Sequence, residues 1–314
     1  MIEGTGNSVF RAAGLGVPLP QNTCAGTGDL PSFFIVGPPR TGTTWLHGVL
    51  RKYAQLPASI KETRFFDKHF HEGFAWYRAH YGRRVPGRCL GEVAPTYFIS
   101  AAARERIARS VPSAKVVCIF RNPVERVLSL YRLKRAYGLI PWSLEDAMVR
   151  DPELGESSRY ASNFRAWQTA VRPQHVMACV YDDLRENPQF FVNQIADFIG
   201  VPRFILTASE IAYVESSGGM THPRSYYRTR SAMLMANWLK ARRFGSLVAT
   251  VKNSPMRRFL LGGGAPFPEI SVEFLRKLYE MFRGEVEQLE ELLHRDLSTW
   301  KSLSPCPSAN HSDA

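Results

Sequence analysis

The stretch Phe33–Leu46, FFIVGPPRTGTTWL, narrows the possible folds of this chain further than any other segment. Its first four residues, Phe33-Phe34-Ile35-Val36, are apolar without alternation, which fits a strand buried on both faces and hence a parallel sheet. Gly37-Pro38-Pro39 ends that strand, because proline has no N–H to give a ladder. Gly42 allows a turn that a side chain would block, and Thr43-Thr44 opens a helix continued by Trp45-Leu46 and Val49-Leu50. A strand, a tight loop and a helix N-terminus aim backbone N–H groups at an anion. On its own the stretch stays open between such a cradle and a plain β–turn–α connection.

Gly37 and Gly42 have the spacing of a Walker A loop, G-x-x-x-x-G-K-[ST], but Thr43 stands where the lysine should be. An ATP or GTP site needs that lysine on the terminal phosphates, so the loop is read as a cradle for one phosphate, with a degenerate P-loop kinase as the rival. A second strong strand, Lys115–Phe120, runs into Arg121-Asn122-Pro123 and a helix over 124–135. Proline in the first turn and Asn122 as cap give that helix its start. The helix presents Arg126, Ser129 and Arg132, with Ser129 two turns beyond Arg121. The strand end and one helix face then form a second phosphate grip, arginine by charge and serine by hydrogen bond. The competing reading is a helix with solvated arginines.

Further elements alternate in the same way. Leu90–Phe98 reads as a short strand and loop with Glu92 near its end, and His175–Val180 as another strand. Helices are expected over 100–110, 144–150, 160–171 and 188–200, and an apolar helical stripe runs from Leu275 to Leu293. The implied class is α/β: a P-loop-like three-layer sandwich with a central parallel sheet flanked by helices. With 314 residues, 45% of them apolar, one large domain over 31–302 is expected, after a flexible leader (1–30) and before a disordered tail (303–314).

Within that domain, 216–268 has no Asp or Glu and nine Lys/Arg, and reads as a basic helical insertion. It accounts for most of the net charge of +12, which favours anionic partners. It suits peripheral contact with an anionic membrane or an acidic glycan, or a plain solvated basic face. Five scattered cysteines without a C-x-x-C pair suggest neither a disulfide framework nor zinc. The histidines of 69–80 lack metal-site spacing, so no metal is expected. No secretory signal pattern and no long apolar run appear, which makes the cytoplasm, or its membrane periphery, the expected location. No nucleic-acid motif is evident and no nucleic acid is expected, although a basic nucleic-acid- or membrane-binding protein is the non-enzymatic alternative.

Taken together, PPRTGTTWL and FRNPVERVLSLY resemble the two cofactor-binding signatures of sulfotransferases that use 3′-phosphoadenosine 5′-phosphosulfate (PAPS). The resemblance implies that Arg40, Thr41, Gly42, Thr43, Thr44 and Trp45 hold the 5′-phosphosulfate, and Arg121 and Ser129 the 3′-phosphate. KETRFFD (61–67) resembles the Lys-Glu-x-x-Phe-Phe-Asp segment of heparan sulfate-type carbohydrate sulfotransferases, which makes Glu62 the implied general base and Glu92 its reserve. Lys61 and Arg40 are the implied partners of the departing phosphate. Looser matches carry Tyr160, Gly219, Thr221 and His222 into the cofactor site, and DLSTW (296–300) is similar to the end of bacterial members. Arg40 replaces a common lysine, Val93 another, and Gly219-Met220 stands where Gly-Arg is typical. The implied reaction is in-line, metal-independent sulfuryl transfer to a hydroxyl of a carbohydrate or glycolipid, or else of a lipid, phenol or other small molecule, with bisphosphoadenosine as product. Trp76, Tyr77, Tyr81, Tyr97 and Trp142 are candidate faces for sugar stacking.

Overall fold

A computed structural model describes residues 29–215, 225–241 and 264–303, without the side chains of 215 and 237–241. The expected leader and tail therefore fall almost wholly outside the described residues, as does much of the basic 216–268 stretch, including Gly219, Thr221 and His222.

Four parallel strands form one sheet in the order β2-β1-β3-β4: β1 is Phe33–Gly37, β2 Gly91–Val93, β3 Lys115–Phe120 and β4 Val176–Val180. β1 is buried at every position because it has a strand on each side and helices on both faces. Pleating divides its side chains. Phe34 and Val36 join Val116, Cys118 and Phe120 against helices Ala101–Ser110, Tyr160–Val171 and Val272–Leu293. Phe33 and Ile35 join Val117 and Ile119 against helices Thr43–Leu50 and Pro188–Ile199. These are the three layers expected from the alternation of strands and helices. A third apolar cluster ties helix Pro123–Ala136 to Leu144–Arg150 and Val272–Leu293.

Local signals explain most boundaries. Asn122 Oδ1 accepts from the N–H groups of Val124 (3.0 Å) and Glu125 (3.3 Å), so the Asn-Pro start works as a cap. Gly200 ends Pro188–Ile199 in the left-handed conformation at φ 81°. One expectation changes. Cys89 is disulfide-bonded, while Cys118 and Cys179 are free and buried in the sheet.

Candidate active site

The ends of β1 and β3 meet because their strands are neighbours. Gly37 is in register with Cys118, so Arg40 and Arg121, each three residues further on, come level. Arg121 Nη1 lies 3.5 Å from the carbonyl oxygen of Arg40, and Arg40 Nε donates to Ser129 Oγ at 2.9 Å. The first loop and the second grip, 89 residues apart in the chain, are thus one structure. Arg121 also donates to Glu125 (2.7 Å) and lies 4.8 Å from the centroid of the Tyr181 ring.

Arg40 adopts φ 76°, a left-handed conformation unfavourable for a residue with a side chain. Burial, followed by the neighbouring Arg121 charge, lowers its guanidinium pKa. Among the described residues no carboxylate pairs with Arg40. A desolvated cation beside a second cation, with no anion of its own, suits an anionic ligand.

Gly42 precedes helix Thr43–Leu50 at φ 83°. A Cβ there would stand 2.7 Å from Leu184 Cδ2 and 3.3 Å from the Tyr181 ring, so both conformation and space require glycine. Among the described residues no side chain caps the N-terminus of this helix, and its first turn has no acidic residue, an arrangement that suits an anion at its leading N–H groups. Thr44 is exposed, and its Oγ1 accepts from Lys61 Nζ at 3.2 Å. Lys61 also pairs with Glu62 at 3.0 Å, and both side chains keep about a quarter of their surface exposed (29% and 24%). On the same helix, burial beside Lys61 and Arg51 pushes the His47 imidazole down to about 4, which leaves it neutral at pH 7.

The segment carrying Lys61 and Glu62 is anchored from below by Glu92, which is wholly buried. Glu92 accepts from Thr63 N (2.9 Å), Thr63 Oγ1 (2.6 Å), Tyr77 OH (2.7 Å) and Tyr97 OH (3.2 Å). Burial raises its pKa against these donors. The expected reserve base is therefore sealed away as an anchor. Tyr77, Tyr81 and Tyr97 are buried around it, which corrects their reading as sugar-stacking faces.

A family model described as the sulfotransferase domain matches residues 30–231. The chain belongs to the sulfotransferase family. It is 29% identical over 213 residues to heparan sulfate glucosamine 3-O-sulfotransferase 6 of Homo sapiens, covering 63% of this chain and 60% of that protein. It is 28% identical over 214 residues to bifunctional heparan sulfate N-deacetylase/N-sulfotransferase 2 of Bos taurus, covering 60% of this chain and 24% of that one. The chain thus spans from about a quarter to three fifths of the length of these relatives. A crystal structure of a sulfotransferase from Alicyclobacillus acidocaldarius shares the fold, with a TM-score of 0.60 at 19% identity over 87% of this chain and 99% of that one.

The sulfotransferase motifs of this chain divide into two clusters. Arg40, Arg121 and Ser129 form one, and Thr44, Lys61 and Glu62 the other, with Gly42 and Thr43 between. Arg40 reaches toward Ser129, and among the described residues no hydrogen bond joins it to Lys61 or Glu62. Two residues of the first motif, Thr41 in the loop and Trp45 in the helix, have supporting contacts. Thr41 Oγ1, wholly buried, donates to Pro38 O at 2.7 Å, and Trp45 Nε1 donates to Glu210 O at 2.7 Å. Tyr160 is also buried, packed on Phe120 beside Arg126.

Arg126, which the sequence puts on the helix face either of a second phosphate grip or of a solvated surface, has no exposed surface. Its Nε donates to Ser158 Oγ at 2.8 Å and its Nη2 to Leu154 O. Among the described residues its Nη1 and Ser157 Oγ are buried without hydrogen-bond partners, and the buried Tyr160 hydroxyl lies beside it. Only its place between Val124 and Val127, both buried, hinted at this. Tyr181–Leu184, after β4, supports the site from several sides. Tyr181 underlies Arg121, Leu184 packs at Gly42, Asp182 accepts from Trp300 Nε1 (3.0 Å), and Asp183 holds Arg295 at 2.6 Å.

Proposed function

We propose that this chain transfers a sulfuryl group from PAPS to a hydroxyl of a carbohydrate or glycolipid. The observation that carries the reading is the Arg40–Ser129 hydrogen bond, which makes one site of two phosphate-binding motifs. The unpaired, desolvated Arg40 and the uncapped helix N-terminus both fit a ligand with two anionic ends. In place of the 5′ end that the resemblance implies for it, Arg40 would join Arg121 and Ser129 on the 3′-phosphate, with Gly42–Thr44 and Lys61 at the 5′ end. The bound donor supplies the sulfuryl group and a phosphate leaving group.

The residues of the chain do the rest by position and charge. Glu62, partly exposed beside Lys61, accepts the proton of the incoming hydroxyl. Lys61 holds a cation between that base and Thr44, where negative charge gathers as the bond to the leaving group breaks. Glu92 keeps Thr63, and with it the base, in place. The relatives named for heparan sulfate support a carbohydrate acceptor.

Incubation with PAPS carrying radiolabelled sulfur, and with separate glycan and lipid fractions, tests the proposal. Label is expected in a glycan or glycolipid, together with tight binding of 3′,5′-bisphosphoadenosine. No transfer to any fraction and no bisphosphate binding would overturn the activity. Label confined to non-glycosylated lipids or phenols would overturn the acceptor class.

A further inference from the structure

Helix Tyr226–Ala241 carries apolar side chains on the side turned to solvent. Its inner side is fixed by close packing. Thr229 is buried, and the backbone at Tyr226 and Arg230 approaches Gly138 so closely that an added Cβ would stand 3.2 Å from Tyr226 O and 3.0 Å from Arg230 N. On the outer side Tyr227, Leu234 and Met235 are 80%, 60% and 61% exposed. At i, i+7 and i+8 these three share one stripe, on which the small Ser231 is also exposed. At about 100° per residue, Arg230 borders that stripe on one side and Arg228 on the other, and both are exposed.

Several physical points favour one occupant of this face. An apolar stripe bordered by arginines, without an acidic residue anywhere from Ser216 to Pro268, matches a helix lying in the plane of an anionic bilayer. A second copy of the chain would bring like charges together, given its net charge of +12. A soluble acidic polymer would engage the arginines but gains nothing from Leu234 and Met235.

We propose that the exposed face of Tyr226–Ala241 docks on an anionic lipid surface. Tyr227, Leu234 and Met235 enter the boundary between headgroups and acyl chains, and Arg228 and Arg230 meet the headgroup phosphates. The proposal goes beyond the sulfuryl-transfer reading and does not depend on it.

The test is co-sedimentation of the full chain with vesicles of phosphatidylcholine alone, or of phosphatidylcholine with phosphatidylserine, across a salt series. Binding is expected to the anionic vesicles and to weaken as salt screens the arginines. Leu234→Glu and, separately, Met235→Glu are each expected to weaken vesicle binding at least about tenfold. Ile205→Glu, at a residue 86% exposed outside this helix, is expected to leave it unchanged. Thermal melts of each variant check that it is folded. No binding at the lowest salt, equal binding to neutral vesicles, or wild-type binding by both glutamate variants would overturn the proposal. So would equal capture of wild type and Leu234→Glu by dextran sulfate together with unchanged vesicle binding, which would assign the face to a soluble acidic polymer.

Discussion

Replacing Arg40 by glycine should separate binding from folding. Arg40 sits at φ 76°, and a left-handed conformation costs a residue with a side chain about 1–3 kcal/mol. Glycine takes that φ freely but loses about 0.5–1 kcal/mol through its greater freedom when unfolded. Loss of the Arg40–Ser129 hydrogen bond removes about 0.5–1.5 kcal/mol more. These effects offset one another, so the stability of the ligand-free protein should stay within about 2 kcal/mol of wild type. Nothing offsets the loss in binding. A charged hydrogen bond to phosphate contributes about 1.5–3 kcal/mol, which is roughly a 10- to 150-fold change in affinity. Calorimetric titration with 3′,5′-bisphosphoadenosine and with 5′-adenylate, beside urea unfolding of the free protein, measures both quantities. Because Arg40 reaches Ser129 and not Lys61, the bisphosphate should lose far more affinity than the 5′-adenylate. Equal losses for the two nucleotides, or wild-type affinity in a stably folded variant, would refute the reasoning.

Glu62→Gln should lower kcat by about 10²–10⁴-fold and leave bisphosphate affinity nearly unchanged; steady-state kinetics showing wild-type turnover would remove Glu62 as the base. Gly42→Ala forces a side chain into φ 83° and against Leu184, and should cost about 1–3 kcal/mol in urea unfolding as well as weakening nucleotide binding, so a neutral substitution would contradict the cradle. Glu92 has a folded pKa raised above the ordinary value of 4.5, so the folded state holds its proton longer than the unfolded chain. Its contribution to stability therefore declines as pH rises from about 4.5 through the folded pKa. The stability of Glu92→Gln relative to wild type should accordingly rise over that window, and parallel stability–pH curves would speak against the assignment.

Signals carried within a few neighbouring residues were readable in the sequence. The unbroken apolar run of β1 marks a strand covered on both faces, and Asn122-Pro123 marks a helix start because its cap bonds span only two and three residues. Contacts between distant segments were not readable. Ser129 was assigned a phosphate, but its hydrogen bond to Arg40 depends on β1 and β3 becoming neighbours. The burial of Arg126 was not readable because Ser158 and Leu154, which enclose it, come about thirty residues later. Glu92 looked like a possible base because nothing local shows that Thr63, Tyr77 and Tyr97 close over it.

The pairing of β1 with β3 acts as a ruler. Adjacent strands lie about 4.8 Å apart, so the separation of the two grips is measured by the hydrogen-bonded ladder and not by the long crossover between them. Length changes in the exposed loops of that crossover, outside the turn that carries Arg40 and outside its packed elements, leave the gauge untouched, whereas a one-residue slip of β3 against β1 would carry Arg121 out of step with Arg40. The dimension on which ligand recognition depends is thereby built into the least deformable part of the molecule.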